Sequence, residues 1–96
     1  MPAYNVGVLP IALEDIAEIY RYCAYDDPNA ALRLTGEIMD SIDTLSTYPE
    51  SCPIVQDSIL AQRGYRVLII KDYAAFFKVL KSEVLVYRVL REKSRG

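Results

Sequence analysis

The sequence contains no histidine, and that absence narrows the available chemistry more than any motif does. Without imidazole there is no Ser-His-Asp or Cys-His nucleophile, no imidazole base and no His-ligated zinc. Any reaction falls to Arg, Lys, Tyr, Asp or Glu. The basic residues are gathered at one end. Residues 63–96 carry nine of them (Arg63, Arg66, Lys71, Lys78, Lys81, Arg88, Arg91, Lys93 and Arg95) against Asp72, Glu83 and Glu92, whereas residues 1–62 carry ten acids against Arg21 and Arg33. The two parts hold +6 and −8, within a net charge of −2. Cations concentrated in this way suit a polyanion, either nucleic acid or an acidic protein segment. The competing reading is that the two halves neutralise each other across the fold, with Arg66 and Arg88 paired to helix carboxylates such as Glu14, Glu18 or Asp43.

Other candidate groups are weaker. Cys23 and Cys52 lie far apart and form no CxxC pair, so both read as buried or half-buried thiols. Asp26-Asp27 followed by Pro28 reads as a helix junction, because nothing supplies further metal ligands at suitable spacing. No metal and no cofactor is expected. Tyr65, Tyr73 and Tyr87 fit core or rim positions with one hydrogen bond better than catalysis.

These side chains must be carried by a small frame. The 96 residues are 52% hydrophobic and 25% charged, which predicts one globular domain over 1–96 with a thin margin of stability. No apolar run reaches the ~18 residues of a membrane span, and MPAYNVGVLP lacks the basic, apolar build of a leader. A cytoplasmic protein is expected.

Alternation over 3–9 predicts a strand with Tyr4, Val6 and Val8 on one face. Pro10 opens a helix to about Tyr25, with Leu13, Ile16, Ala17, Tyr20, Cys23 and Ala24 as its stripe. Asp27 caps a second helix to about Thr47, which buries Ala31, Leu34, Ile38, Ile42 and Leu45. Gly36 costs this helix about 1 kcal/mol relative to Ala unless it allows close packing. Residues 48–64 carry Pro49, Pro53 and Gly64 and read as a loop. The segments 65–71, 73–80 and 83–91 are β-branched and aromatic with short connections, an antiparallel meander. The tail 92–96 reads as polar and fraying.

The predicted class is therefore α+β, in the order β-α-α-β-β-β. A helical hairpin packs on one face of a four-stranded, mainly antiparallel sheet. Several strands are apolar on both faces, so a single helical layer leaves greasy surface open for a partner.

With that order in view, the stretches IAEIYRYCAYDDPNAALRL, TLSTYPESCPIV, GYRVLIIKDYAAFFKV and VYRVLREKSR resemble the RelE/ParE superfamily of toxins, from residue 4 to about 95. Each stretch is a weak pattern; their order in a chain of this length is specific. The resemblance implies a toxin of a type II toxin–antitoxin pair, neutralised by a cognate antitoxin, with operator DNA reached only through that antitoxin. Some members cut mRNA on the ribosome and others poison DNA gyrase. In the nuclease branch, clustered cations on the concave sheet face hold the phosphate as the ribose 2′-OH attacks it. Carried onto this chain, the catalytic candidates are Arg66, Arg88 and Arg91. Tyr73, Phe77, Tyr87, Lys93 and Arg95 are candidates for binding the target or the antitoxin. Three positions depart from the nuclease pattern: Leu68 replaces a second basic residue, Ala74 follows Tyr73 where arginine is usual, and the C-terminal Tyr is missing. Three outcomes stay open: a gyrase-directed binder, a metal-independent ribosome-dependent endoribonuclease, and an inactive, antitoxin-binding regulator.

Overall fold

The computed structural model describes residues 3–92. Its elements are β1 (Asn5–Val8), α1 (Pro10–Asp26), α2 (Pro28–Asp43), a short α3 (Ser58–Gln62), β2 (Arg66–Ile70), β3 (Tyr73–Leu80) and β4 (Glu83–Arg91), with 3-10 turns at Thr44–Ser46 and Pro49–Ser51. The strands form one mixed sheet in the order β1-β4-β3-β2. β2, β3 and β4 make the expected antiparallel meander, while β1 runs parallel to β4, with Asn5 opposite Glu83 and Val8 opposite Val86. The parallel pairing follows from the crossover through the helices, which returns the chain to the sheet in the same direction.

Local signals account for the helix boundaries. Pro10 occupies the first turn of α1, where its missing N–H is no loss. Asp27 ends α1 and begins α2: its backbone N–H donates to Cys23 O, and its side chain accepts from Ala30 N at 3.2 Å. The Asp26-Asp27 pair is thus a junction. α2 stops at Asp43, earlier than its periodicity suggests, because the last turn tightens into the Thr44–Ser46 3-10 turn that still buries Leu45. The predicted loop over 48–64 also contains α3, where Asp57 accepts from Leu60 N at 3.0 Å.

The core lies between the helical hairpin and one sheet face. Ala12, Ile16 and Ile19 of α1 and Ile38 and Ile42 of α2 meet Phe77, Val84, Val86 and Val89. The predicted α1 stripe is out of phase at its start, since Ala12 is fully buried and Leu13 is 49% exposed. Ile11, Ala12 and Leu13 are all apolar, so only the sheet beneath could select which one faces inward.

Two features adjust this frame. Lys71 and Lys81 occupy the two tight hairpins with φ of 55° and 49°, the left-handed region that glycine or asparagine would fill at lower cost. A methyl group added at Gly36 would meet nothing within 4 Å, and the backbone there does not need positive φ. The cost of this glycine to α2 is therefore uncompensated. Gly36→Ala is expected to raise stability by about 0.5–1 kcal/mol, read as a higher urea midpoint at unchanged slope.

Candidate functional site

Strand alternation decides which cations are available. Arg66 shares its face with Leu68 and with Ile70, and both of these pack on the core beneath the helices. Its guanidinium does not pair with a helix carboxylate. Nη1 instead donates to Cys52 O at 2.6 Å and Glu50 O at 3.3 Å, pinning the loop that leads to β2. Burial holds the nearby Cys52 thiol above its usual pKa, and the charge of Arg66 opposes this.

Arg88 is engaged as well. Its Nε donates to Asp15 Oδ2 at 2.8 Å and its Nη2 to Asp15 Oδ1 at 2.9 Å, a bidentate pair, while Val89 N–H donates to the same Oδ2 at 2.9 Å. The Arg88 hydrogen bond holds the Asp15 carboxyl below its ordinary pKa against the opposing effect of burial, with help from the Val89 N–H and the Arg88 charge. Glu14 and Glu18, two of the partners expected for Arg88, pair with Arg21 instead, at 3.2 and 3.0 Å. Arg91 ends β4, exposed, opposite Tyr73. Arg66, Arg88 and Arg91 therefore do not converge on one point; each has a different neighbourhood.

The expected binding residues divide. Phe77 is wholly buried, which corrects its place among the candidates for binding the target or the antitoxin: it belongs to the core. Tyr73 is also buried, and burial, then its contact with Cys23, raises its hydroxyl pKa. Tyr87 is half-buried and packs edge-to-face on Tyr65 at 5.2 Å, with the Lys78 ammonium 5.1 Å from the Tyr65 ring. Lys93 and Arg95 lie outside the described residues. Phe76, the neighbour of Phe77, takes the outer position. Alternation along β3 sets this, since Tyr73, Ala75 and Phe77 share the core face; Phe76 faces Arg88 and Phe77 faces Val86, leaving Tyr87 as the extra residue of a β-bulge in β4.

On the face away from the helices, two adjacent cavities share Phe76 and Leu90. One, of about 430 Å³, adds Pro53, Ile54, Val67, Ile69 and Arg91; the other, of about 340 Å³, adds Ile11, Leu60, Tyr65, Tyr87 and Arg88. Ile69, Ile54 and Leu90 are each 40% or more exposed. This face is an apolar groove with cations at its rim, a surface shaped for a macromolecule rather than a closed pocket for a small substrate. Sequence reasoning missed Phe76, Leu90 and Asp15 as members of the site. Alternation in β3 could have flagged Phe76, but the bulge at Tyr87 that shifts the phase of β4 and turns Leu90 outward left no sequence signal. Among the described residues no group of three or more His, Cys, Asp or Glu could hold a metal ion, and no helix is long and apolar enough to cross a membrane.

Residues 7–95 match the family described as the ParE toxin of the type II toxin–antitoxin system parDE. The chain belongs to the ParE toxin family. Solved structures show the same fold. A chain of the chromosomal ParDE toxin–antitoxin system from P. aeruginosa superposes with a TM-score of 0.80 at 20% identity, covering 95% of this chain and 98% of that one. A chain of the toxin–antitoxin complex RelBE2 from Mycobacterium tuberculosis gives 0.69 at 17% identity, covering 94% and 99%. No curated protein matches the sequence. The ParE-type match covers both layers of the fold, from the end of β1 past β4, so the open groove and the Asp15–Arg88 pair both lie within the matched residues.

Proposed function

We propose that the chain is a toxin held by a cognate antitoxin, and that it arrests growth by binding a macromolecular target in the manner of gyrase-directed members. The observation that carries this reading is the state of the cations. Phosphoryl chemistry without a metal needs several guanidinium or ammonium groups converging on one phosphate. Here Arg66 holds loop carbonyls, Arg88 is clasped by Asp15, and Leu68 and Ala74 stand where further cations would be needed. What the sheet offers instead is apolar area ringed by charge, which suits recognition of another protein. An antitoxin covering the groove would block the target and stabilise the toxin in one step. The two similar solved chains come from toxin–antitoxin systems, which supports such a partner.

Controlled expression in a host without the antitoxin is expected to stop growth and to raise the amount of covalent gyrase–DNA cleavage complex. Co-expression of an antitoxin encoded beside the gene is expected to restore growth. Cleaved transcripts in cell-free translation, with Arg66, Arg88 and Arg91 all required, would replace this reading with the endoribonuclease. Unimpeded growth at full expression of folded protein would leave the regulatory, non-toxic reading.

A further inference from the structure

The α2 helix has two lines of residues able to pack closely, and the fold uses one of them. Ala31, Ile38 and Ile42 are buried against the rest of the chain. Leu32, Gly36 and Met39 recur at i, i+4 and i+7 on a second line, and all three are exposed. Leu32 is 60% exposed, and a Cβ at Gly36 would meet nothing beyond its own helix within 4 Å. Single exposed apolar side chains are ordinary on a protein surface. Two of them aligned on either side of a mid-helix glycine, whose cost nothing in the chain offsets, form a surface for another helix.

The charges beside this line complement themselves. Arg33 and Asp40 lie on the same flank, two helical turns apart, which is about 10 Å along the axis. That separation is too long for a pair within one helix, and neither residue makes an ion pair among the described residues. Glu37, further round the helix, is taken by Lys71 at 3.5 Å. Consider a second α2 laid antiparallel, crossing the first beside Gly36. Arg33 of each copy then comes opposite Asp40 of the other, Leu32 comes beside Met39, and Asp43 comes beside Asn29. A two-fold axis generates both Arg33–Asp40 pairs at once, as an isologous interface requires.

We propose that the outer line of α2 joins two copies of this chain about a two-fold axis, with Gly36 at the crossing. Gly36 lets the two backbones approach closely, which offsets in the pair the cost that it imposes on a single helix. Leu32 and Met39 supply apolar contact, while the charge pairs fix the antiparallel direction. Contact through one helix from each copy is small, so the dimer dissociates on dilution. The groove on the far face of the sheet stays open, and the proposal does not depend on what that groove binds.

Sedimentation velocity of the full chain across a dilution series is expected to show a reversible monomer–dimer equilibrium. Arg33→Asp and Asp40→Arg each place two like-charge pairs across the axis, and each alone is expected to raise the dissociation constant at least tenfold. An equimolar mixture of these two variants rebuilds both pairs and is expected to dimerise again. Both positions are exposed, and far-UV circular dichroism checks that the variants stay folded. Gly36→Gln, a better helix former, is expected to abolish the dimer while leaving the dilute monomer at least as stable to urea. A chain that stays monomeric at every concentration overturns the proposal. A dimer that survives either single charge reversal, or that the mixture fails to restore, overturns it too. If the monomer covers Leu32 and Met39 only when the protein encoded beside its gene is added, that partner occupies α2 and the second copy does not.

Discussion

Phe77→Ala is expected to abolish a stable fold in the isolated chain, whereas Phe76→Ala, one residue earlier, is expected to leave the fold standing. Phe77 is fully buried and lies beneath both helices with Ile38, Ile42, Val84 and Val86 around it. Truncating a buried phenylalanine removes its transfer free energy and leaves a void, together about 3–5 kcal/mol. Stable domains hold about 5–15 kcal/mol in total, and a chain this small sits toward the low end, where such a loss takes most of the margin. Urea titration followed by far-UV circular dichroism should show the midpoint collapsing for Phe77→Ala. Phe76 sits half-buried on the outer face, where solvent and small rearrangements fill much of the gap. Its loss should instead appear as weaker toxicity and weaker antitoxin binding. A Phe77→Ala protein that unfolds within about 1 kcal/mol of the parent would contradict the assignment of that ring to the core.

The second large effect is placed on Asp15. Its side chain is 13% exposed and accepts three hydrogen bonds, two from Arg88 and one from Val89. Asp15→Ala removes all three and releases the N-terminal half of α1 from β4. Fully buried pairs cost about 3–5 kcal/mol to break from one side. Arg88 remains 43% exposed, so water screens part of that, and a loss of about 2 kcal/mol is expected at pH 7. The pH dependence gives a sharper test. The Asp15 pKa is lowered in the folded state, so the unfolded chain takes up this proton first as pH falls. Its contribution is fully present above an unfolded value of about 3.9 and is lost as pH drops through the lower folded value. The difference in unfolding free energy between parent and Asp15→Ala should therefore be constant from pH 7 down to about 5 and shrink below about 4. A gap that stays the same through acid would mean that the carboxylate charge contributes nothing.

The same pair shows why the candidate site was only partly legible in the sequence. Asp15 has a sufficient local meaning, an acid near a helix N-terminus, that makes no reference to β4. Its actual partner lies 73 residues away. Arg66 and Arg88 looked equivalent by type and strand position, yet one points to the loop carbonyls and the other to a helix carboxylate. Position in a strand gives the face of a side chain but not what the opposing layer presents to it. Phe76 and Phe77 form the clearest case. Two adjacent aromatic residues must face opposite ways, but choosing which faces inward needs to know which face of β3 the helices cover, the face that Phe77 shares with Tyr73 and Ala75.

Much of the frame, by contrast, is local. Pro10, Asp27 and Pro28 determine where the two long helices start, because capping and proline geometry act within a turn. The spans of β3 and β4 follow from their β-branched and aromatic content between two tight turns. Composition alone excluded histidine chemistry, and the order of elements implied a helical hairpin over one sheet face. The parallel partnership of β1 with β4, the phase of α1 and the capture of Arg88 by Asp15 were decided only by tertiary structure. Each depends on contacts between segments far apart in the chain, whose free energies are set by layer packing and not by any neighbouring residue.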